Sequence, residues 1–506
     1  MNLWRKAQNQ GPEAPRRGPG LARRWHRWMG LGAGLWLAVL GATGFALDHR
    51  EWRWMWQSSL PAVWFPGKIV RQAEVGTFRV WRQDPANPAR QMAAGLRGAW
   101  VTPDGGTVWT PVEFMASGGM PQVYAVVSAE GAAWGRFLLA TDDGLWELNG
   151  GTARRLALAG QTITALGPGG RLGQVLGVED KSRVFVWENN TLVWIHLSSL
   201  ALGVLPQEVT LARFVRDLHY GRGLLPAGWS LWVNDFGGVA LVMLPLTGFL
   251  FWWWPRHWRQ RHHQEKPTPS PQGKKARMRW SFRLHGPLVG LPALVALLYL
   301  GVSGIILDHG EGLEHWLFST RLHRSVLPPV YDLPSWRGEV TAVMGMTGQT
   351  EGLMVGTRMG LFSSTQGGAD WMPATPPGAK AGFVYLLARQ GNEQAVGGMG
   401  SPNYIIRGGG WEKTKPSAHM PTDAWRDPQG RWVWVAHGKV HGPEDGKPTA
   451  ARWPQLGGVP LFYLLDGLHT GRLFTPQWKW VNDAAAGALL LLAVSGVIQW
   501  WRKKWA

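Results

Sequence analysis

Hydropathy along the chain falls into four apolar runs, 28–47, 233–254, 287–307 and 484–501, separated by two long stretches of alternating pattern. Each run is close to the ~20 residues that a helix needs to cross a hydrocarbon core. The long stretches hold segments such as GRFLLATDDGLWELNGG and GRWVWVAHGKVHG, in which apolar and polar residues alternate between Gly and Asp turns. That alternation predicts short antiparallel strands. The expected fold class is membrane α, a four-helix bundle, plus an all-β region. The chain divides into a basic tail (1–27), a span (28–47), a β-rich insertion (48–228), a span (229–254), a basic linker (255–283), a span (284–308), a second β-rich insertion (309–479), a span (480–501) and a tail (502–506). The first run passes into DHREWRW without an A-x-A cleavage site, so it reads as an anchor.

The two halves repeat each other beyond hydropathy. RWHRWMGLGAG around His26 matches RLHGPLVGLPA around His285, GATGFALDHR matches GVSGIILDHG, LHYGR matches LHTGR, WVND recurs at 232–235 and 480–483, and TGFLFWW matches SGVIQWW. Two spans separate equivalent helices, so the two-helix repeats run parallel, related by an axis along the membrane normal.

The formal net charge is +19, which raises the question of nucleic acid. Residues 1–27, 255–283 and 502–504 carry nearly all of the excess, and each abuts an apolar run. Positive-inside topology accounts for this charge without nucleic acid. It predicts cytoplasmic termini and linker, with 48–228 and 309–479 on the outer side, the periplasm of a bacterial inner-membrane protein.

With no cysteine in the chain, disulfides, thiolate-ligated haem, iron–sulfur clusters and Cys-type zinc sites are excluded. Metal chemistry then falls to histidine above all. Six histidines occupy the repeated frame: His26 and His285 open the odd spans, His49 and His309 close them, and His219 and His469 precede the even spans. His26 and His49 are 23 residues apart, or ~35 Å along a helix, and so lie at opposite membrane faces. This inventory is the one that bis-histidine haem b, one or two copies, would need: imidazoles on facing helices with an apolar slot between them. Glycines such as Gly41, Gly44, Gly301 and Gly304 allow a macrocycle or a neighbouring helix close approach. Asp48 and Asp308 either orient an imidazole through its second nitrogen or cap the helix exit. Asn234, Asp235, Asn482 and Asp483 stand at the outer mouths of the even spans, where capping competes with proton delivery or metal docking.

These histidine-bearing segments, WHRWMGLGAGLWLAVLGATG and LHGPLVGLPALVALLYLGVSG with LHYGR…TGFLFWW and LHTGR…SGVIQWW, resemble the PepSY-associated transmembrane family. The resemblance implies b-type haem held by membrane histidines, with electrons passed outward to Fe(III), as in inner-membrane reductases of ferric siderophores. It carries the helix-opening histidine to His26 and His285 and the LH motif to His219 and His469. Neither insertion shows a PepSY module.

The insertions show another signal. GAWVTPDGGTVWTP (98–111) fits the S/T-x-D-x-G-x-x-W Asp-box pattern, and GLFSSTQGGADWMP (360–373) repeats it with Gln366 in the Asp position. About three blade-like units per half resemble an Asp-box β-propeller closed jointly by the two insertions. No Walker A, Rossmann, HExxH or GxSxG motif occurs, so an electron donor must be external: a cytoplasmic protein, or a quinol from the lipid. The expected function is transmembrane electron transfer to a periplasmic ferric chelate or other metal complex. The alternative is a non-enzymatic, membrane-anchored scaffold or assembly factor for a periplasmic protein partner. Redox-inactive metal transport is disfavoured, because the spans lack mid-membrane carboxylates.

Overall fold

The computed structural model describes residues 21–115, 117–128, 134–226, 228–375, 382–414, 420–442, 448–449 and 451–504. Most of the expected basic tail, 1–20, and residues 505–506 lie outside the described residues. Ten α-helices are formed among the described residues: α1 (Leu21–Asp48), α2 (Arg53–Gln57), α3 (Gly67–Gly76), α4 (Leu211–His219), α5 (Trp229–His263), α6 (Pro271–Arg283), α7 (Leu294–Asp308), α8 (Glu314–Ser319), α9 (Leu461–His469) and α10 (Lys479–Lys504).

Three of these, α1, α5 and α10, are long and apolar enough to cross a membrane. The third predicted span is not one helix. Residues Leu284–Leu288 form a π-helical turn containing Pro287, and regular helix resumes only at α7, 15 residues long. Proline lacks the donor that an α-helix needs and clashes with the preceding turn, and Gly286, Gly290 and Pro292 weaken the same stretch. The basic linker is largely helical, because α5 runs on to His263 and α6 starts at Pro271, capped by the Ser270 hydroxyl.

α1 packs against α5 and α10, and α7 packs against the same two helices. The closest approach is glycine on glycine. A Cβ on Gly41 would stand 2.5 Å from Leu241 Cβ and 2.6 Å from Gly238 O. Gly41→Ala is therefore expected to force α1 off α5 and lower stability by about 1–3 kcal/mol. Thermal unfolding of the purified protein checks this; an unchanged midpoint would contradict the tight crossing.

Outside the helices lie six larger sheets, three from each half, antiparallel throughout except that Glu113–Phe114 joins the second by a parallel pairing with Thr152–Ala157. Their first strands are Phe78–Gln83, Val123–Ser128, Ile163–Pro168, Val340–Gly345, Phe383–Gln390 and Pro421–Arg426. Each first strand contacts that of the next sheet, and the sixth contacts the first. Apolar clusters fill these junctions. Met92, Val126, Leu139 and Trp146 join the first and second sheets, and Phe78, Trp81 and Trp100 meet Trp425, Val433 and Val435 between the sixth and first. The halves also exchange edge strands: Ser59–Leu60 pairs with Val459–Pro460, and Glu208–Thr210 with Arg321–His323.

The turn at 102–109 is held by Asp104, which accepts from the Thr102 hydroxyl at 2.6 Å and from the amides of Thr107 and Val108 at 2.9 and 3.1 Å. In the second copy Gln366 cannot do this, and Asp370 reaches back from the other side of the turn. It accepts from the Ser364 hydroxyl at 2.6 Å and from the Thr365 and Gln366 amides at 2.9 Å. The hydroxyls of Ser364 and Thr365, helped by these amides, hold the Asp370 carboxyl well below the usual carboxylate range.

Candidate functional site

Two histidine pairs form, each from equivalent residues of the two halves. The rings of His26 (α1) and His285 (the π-helical turn) are 6.2 Å apart between centroids, and so are those of His219 (α4) and His469 (α9). His219 and His469 sit on short amphipathic helices that lead into α5 and α10. Thr43, the α1 residue in contact with His469, is 17 residues beyond His26, or ~25 Å along the helix. The two pairs therefore occupy opposite ends of the helices.

A common device orients all four imidazoles. His26 Nδ1 meets Ser495 Oγ at 2.8 Å, His285 Nδ1 meets Thr247 Oγ1 at 3.0 Å, His219 Nδ1 meets Ser303 Oγ at 3.0 Å and His469 Nδ1 meets Thr43 Oγ1 at 3.0 Å. Each hydroxyl donates its single proton to a carbonyl one turn back in its own helix: Ser495 to Leu492, Thr247 to Met243, Ser303 to Leu300 and Thr43 to Val39. The hydroxyl is then left to accept from the ring, so Nδ1 carries hydrogen and Nε2 keeps its lone pair. For His285 the Leu244 carbonyl, 3.1 Å from the same Nδ1, can only accept and fixes the same tautomer. A glycine follows each hydroxyl residue, and the ring lies on it. A Cβ on Gly44 would be 3.1 Å from His469 Cε1, and on Gly248, Gly304 and Gly496 it would be 3.5 Å from the ring of His285, His219 and His26.

In every case the orienting Ser/Thr-Gly pair comes from the half opposite to that of its histidine. Neither half alone completes a site. The sequence signal was present, since Thr43-Gly44, Thr247-Gly248, Ser303-Gly304 and Ser495-Gly496 recur once per apolar run. The sequence points to Gly44 and Gly304 as places where a macrocycle or a neighbouring helix comes close, but gives no role to the hydroxyl residues before them.

The structure does not bring His49 and His309 into these pairs. His49 Nε2 lies 3.2 Å from both Asp235 oxygens, its Nδ1 is 3.4 Å from Glu51, and its ring stacks on Trp52 at 4.6 Å. His309 Nε2 lies 2.7 Å from Asp483. The WVND asparagines brace the outer pair. The Asn234 amide donates to His219 O at 2.8 Å and that of Asn482 to His469 O at 3.2 Å. Their oxygens accept from Tyr299 and from Trp36 Nε1. Asp48 lies beside Asn234, and Asp308 accepts from Asn482 at 3.3 Å, so the Asp of each Asp-His pair stands next to the asparagine that braces the outer site.

Residues 23–503 match the family described as the PepSY-associated TM region. The chain belongs to that family. No match is found among curated proteins. Among solved structures, an ancestral GH74 enzyme is 10% identical with a TM-score of 0.35, over 79% of this chain and 40% of its own. The extracellular domain of a one component system from B. thetaiotaomicron is also 10% identical, with a TM-score of 0.21, over 75% of this chain and 55% of its own. The chain thus spans less than two thirds of either structure, and neither likeness bears on function. In this PepSY-associated TM protein no group of three or more His, Asp or Glu with metal-ligand geometry occurs among the described residues. The donor sets it offers are the two-histidine pairs. These fit a metal held between two imidazoles, because bonds of about 2 Å to each nitrogen set the ring centres roughly 6 Å apart.

Proposed function

We propose that the protein is a b-haem electron carrier of the bacterial inner membrane, with His26 and His285 as ligands of an inner haem and His219 and His469 as ligands of an outer one. The observation that carries this reading is the 6.2 Å spacing in both pairs together with four Nδ1 atoms tied to hydroxyls, which leaves Nε2 available. When bound, haem supplies one-electron redox chemistry. The chain supplies fixed imidazoles, a Ser/Thr hydrogen bond that raises ring basicity, and glycines that let the rings sit against the helices. Electrons from a cytoplasmic protein or a quinol would cross from the inner to the outer pair and reduce a ferric chelate or other metal complex outside.

In this reading the four apolar segments form one bundle with both termini cytoplasmic, supported by the basic segments beside the inner pair. The six sheets form a six-bladed, Asp-box-bearing propeller in the periplasm, closed by both insertions. The unbroken circuit of first-strand contacts supports this.

A dithionite-reduced sample, expressed with adequate haem, is expected to show a b-type α-band. Its absence would overturn the carrier reading and leave the histidines as structural members of a membrane-anchored scaffold.

A further inference from the structure

The ring of sheets ends, toward the helices, in six bulges. Each first strand loses register after its first one or two residues, and the skipped residues are Arg79, Tyr124, Thr164, Thr341, Tyr385 and Thr422. A bulge re-aims the side chain it skips. The three threonines donate to strand carbonyls, Thr422 to Arg79 O at 2.6 Å among them. Tyr385 is different: its hydroxyl is buried without a hydrogen-bond partner. Tyr385 interacts with Arg50 and Arg216, and Tyr124 with Arg79 and Glu51, so this polar ring faces the end of α1 and the neighbourhood of α4.

Four cations converge there. Arg50 follows His49 at the end of α1, and Arg222 lies three residues beyond His219. Arg79 is the first bulge residue. Lys181 sits on a hairpin turn of the third sheet with positive φ, and its carbonyl accepts from the Val340 amide at 2.8 Å, at the start of the fourth sheet's first strand. Arg50 feels Arg79, and Lys181 feels Arg222, Arg50 and Arg79. Among the described residues none of the four side chains has an ion pair or a hydrogen bond; Arg79 only overlies the Tyr124 ring at 5.3 Å. Glu51, Asp48, Asp180 and, beside Arg222, Asp217 are the carboxylates nearby, and none of them is within ion-pairing distance of the four. Enclosure by protein, then Arg222 and Arg50, push the Lys181 ammonium down to about 7, although its side chain keeps solvent contact. Cations gathered without a direct ion pair repel one another and leave a positive potential that a small anion can relieve.

We infer that Arg50, Arg79, Lys181 and Arg222 line an anion-binding vestibule between the sheets and the outer histidine pair, which takes a small polyanionic metal chelate of the carboxylate class. The assignment of this chelate as substrate rests on the electron-carrier reading, but its binding needs no redox step. A soluble chelate is favoured over a lipid headgroup because Arg79 and Lys181 belong to the circuit of sheets, whereas lipid meets the outer faces of the helices.

The test is calorimetry on the full chain in phosphatidylcholine nanodiscs at low ionic strength, with gallium(III) citrate as a redox-inert probe. Saturable binding is expected, weakened about tenfold or more by Arg79→Gln and by Lys181→Gln. Lys181→Arg should bind like the parent, as should Lys413→Gln, which alters an exposed residue on the outermost strand of the fifth sheet. Neutral gallium tris(acetylacetonate) should not bind. Absence of saturable citrate binding, equal affinity in the Gln variants, or loss of binding when phosphatidylglycerol replaces phosphatidylcholine would each overturn the vestibule. Haem content measured on the same samples separates the two proposals, since a haem-free protein that binds gallium citrate keeps the vestibule and loses the carrier.

Discussion

Haem content is expected to fall by about half when His219 or His469 is replaced by alanine, while His49→Ala and His309→Ala leave it unchanged. The contrast follows from which nitrogens are free. Hydroxyls hold only Nδ1 of His219 and His469, whereas His49 has both ring nitrogens against carboxylates and His309 has Nε2 committed to Asp483. The pyridine haemochrome assay, normalised to protein, reads this directly. Equal content in all four variants would remove the outer pair as a ligand set. Thr43→Val and Ser303→Ala test the orienting device separately. They keep the imidazoles but delete the acceptor for Nδ1–H, and should lower the affinity for haem or shift its potential without abolishing the α-band. A shape-conserving substitution that changed nothing would show the hydroxyls to be mere packing.

The largest stability effect is expected at Arg358. Its guanidinium is buried and engaged through all three nitrogens: Nε donates to Glu339 at 2.7 Å, Nη1 to Asp217 at 3.3 Å and Arg222 O at 3.0 Å, and Nη2 to Val330 O at 3.0 Å. Tyr331 donates to the same Asp217 oxygen at 3.0 Å. Removing one member of a buried set strands the charges that remain, so Arg358→Ala should cost about 3–5 kcal/mol. Asp217 lies on α4, two residues before His219, and Arg358 belongs to the fourth sheet's turn, so the same network ties the outer histidine to the second half. The variant should therefore lose thermal stability and outer-site haem together. A loss under 1 kcal/mol in detergent-solubilised protein would contradict the network's role, and normal haem content in a destabilised variant would confine that role to folding.

Much of this was legible in the chain itself, for identifiable reasons. Hydropathy located the apolar runs because a membrane imposes a length and a composition that survive without any contact information. The duplicated LDH, LH-x-GR and WVND motifs disclosed two equivalent halves, since internal repetition is a property of sequence alone. Strand alternation and turn residues announced the sheets through local rules. One local feature misled. The third run looked like an uninterrupted span because hydropathy does not register the missing donor of Pro287. Gln366 stands in the Asp position of the second turn, and the sequence does not disclose the substitute, Asp370, which lies four residues on, where only the folded turn brings it back.

Partnership was beyond the sequence. Six histidines in register allow many pairings, and nothing in spacing separates His49 from His219 as a partner for His469. The fold decides, because α4 and α9 lay their last turns against α7 and α1 of the opposite half, while the WVND carboxylates take His49 and His309 first. The same holds for the four cations, scattered from 50 to 222 in sequence and gathered only when bulged strands and helix ends face one another. Sequence thus determined the elements, their duplication and the residue types on offer. Tertiary structure alone decided which nitrogens meet and which charges go unpaired, because those depend on distances between segments that no local pattern encodes.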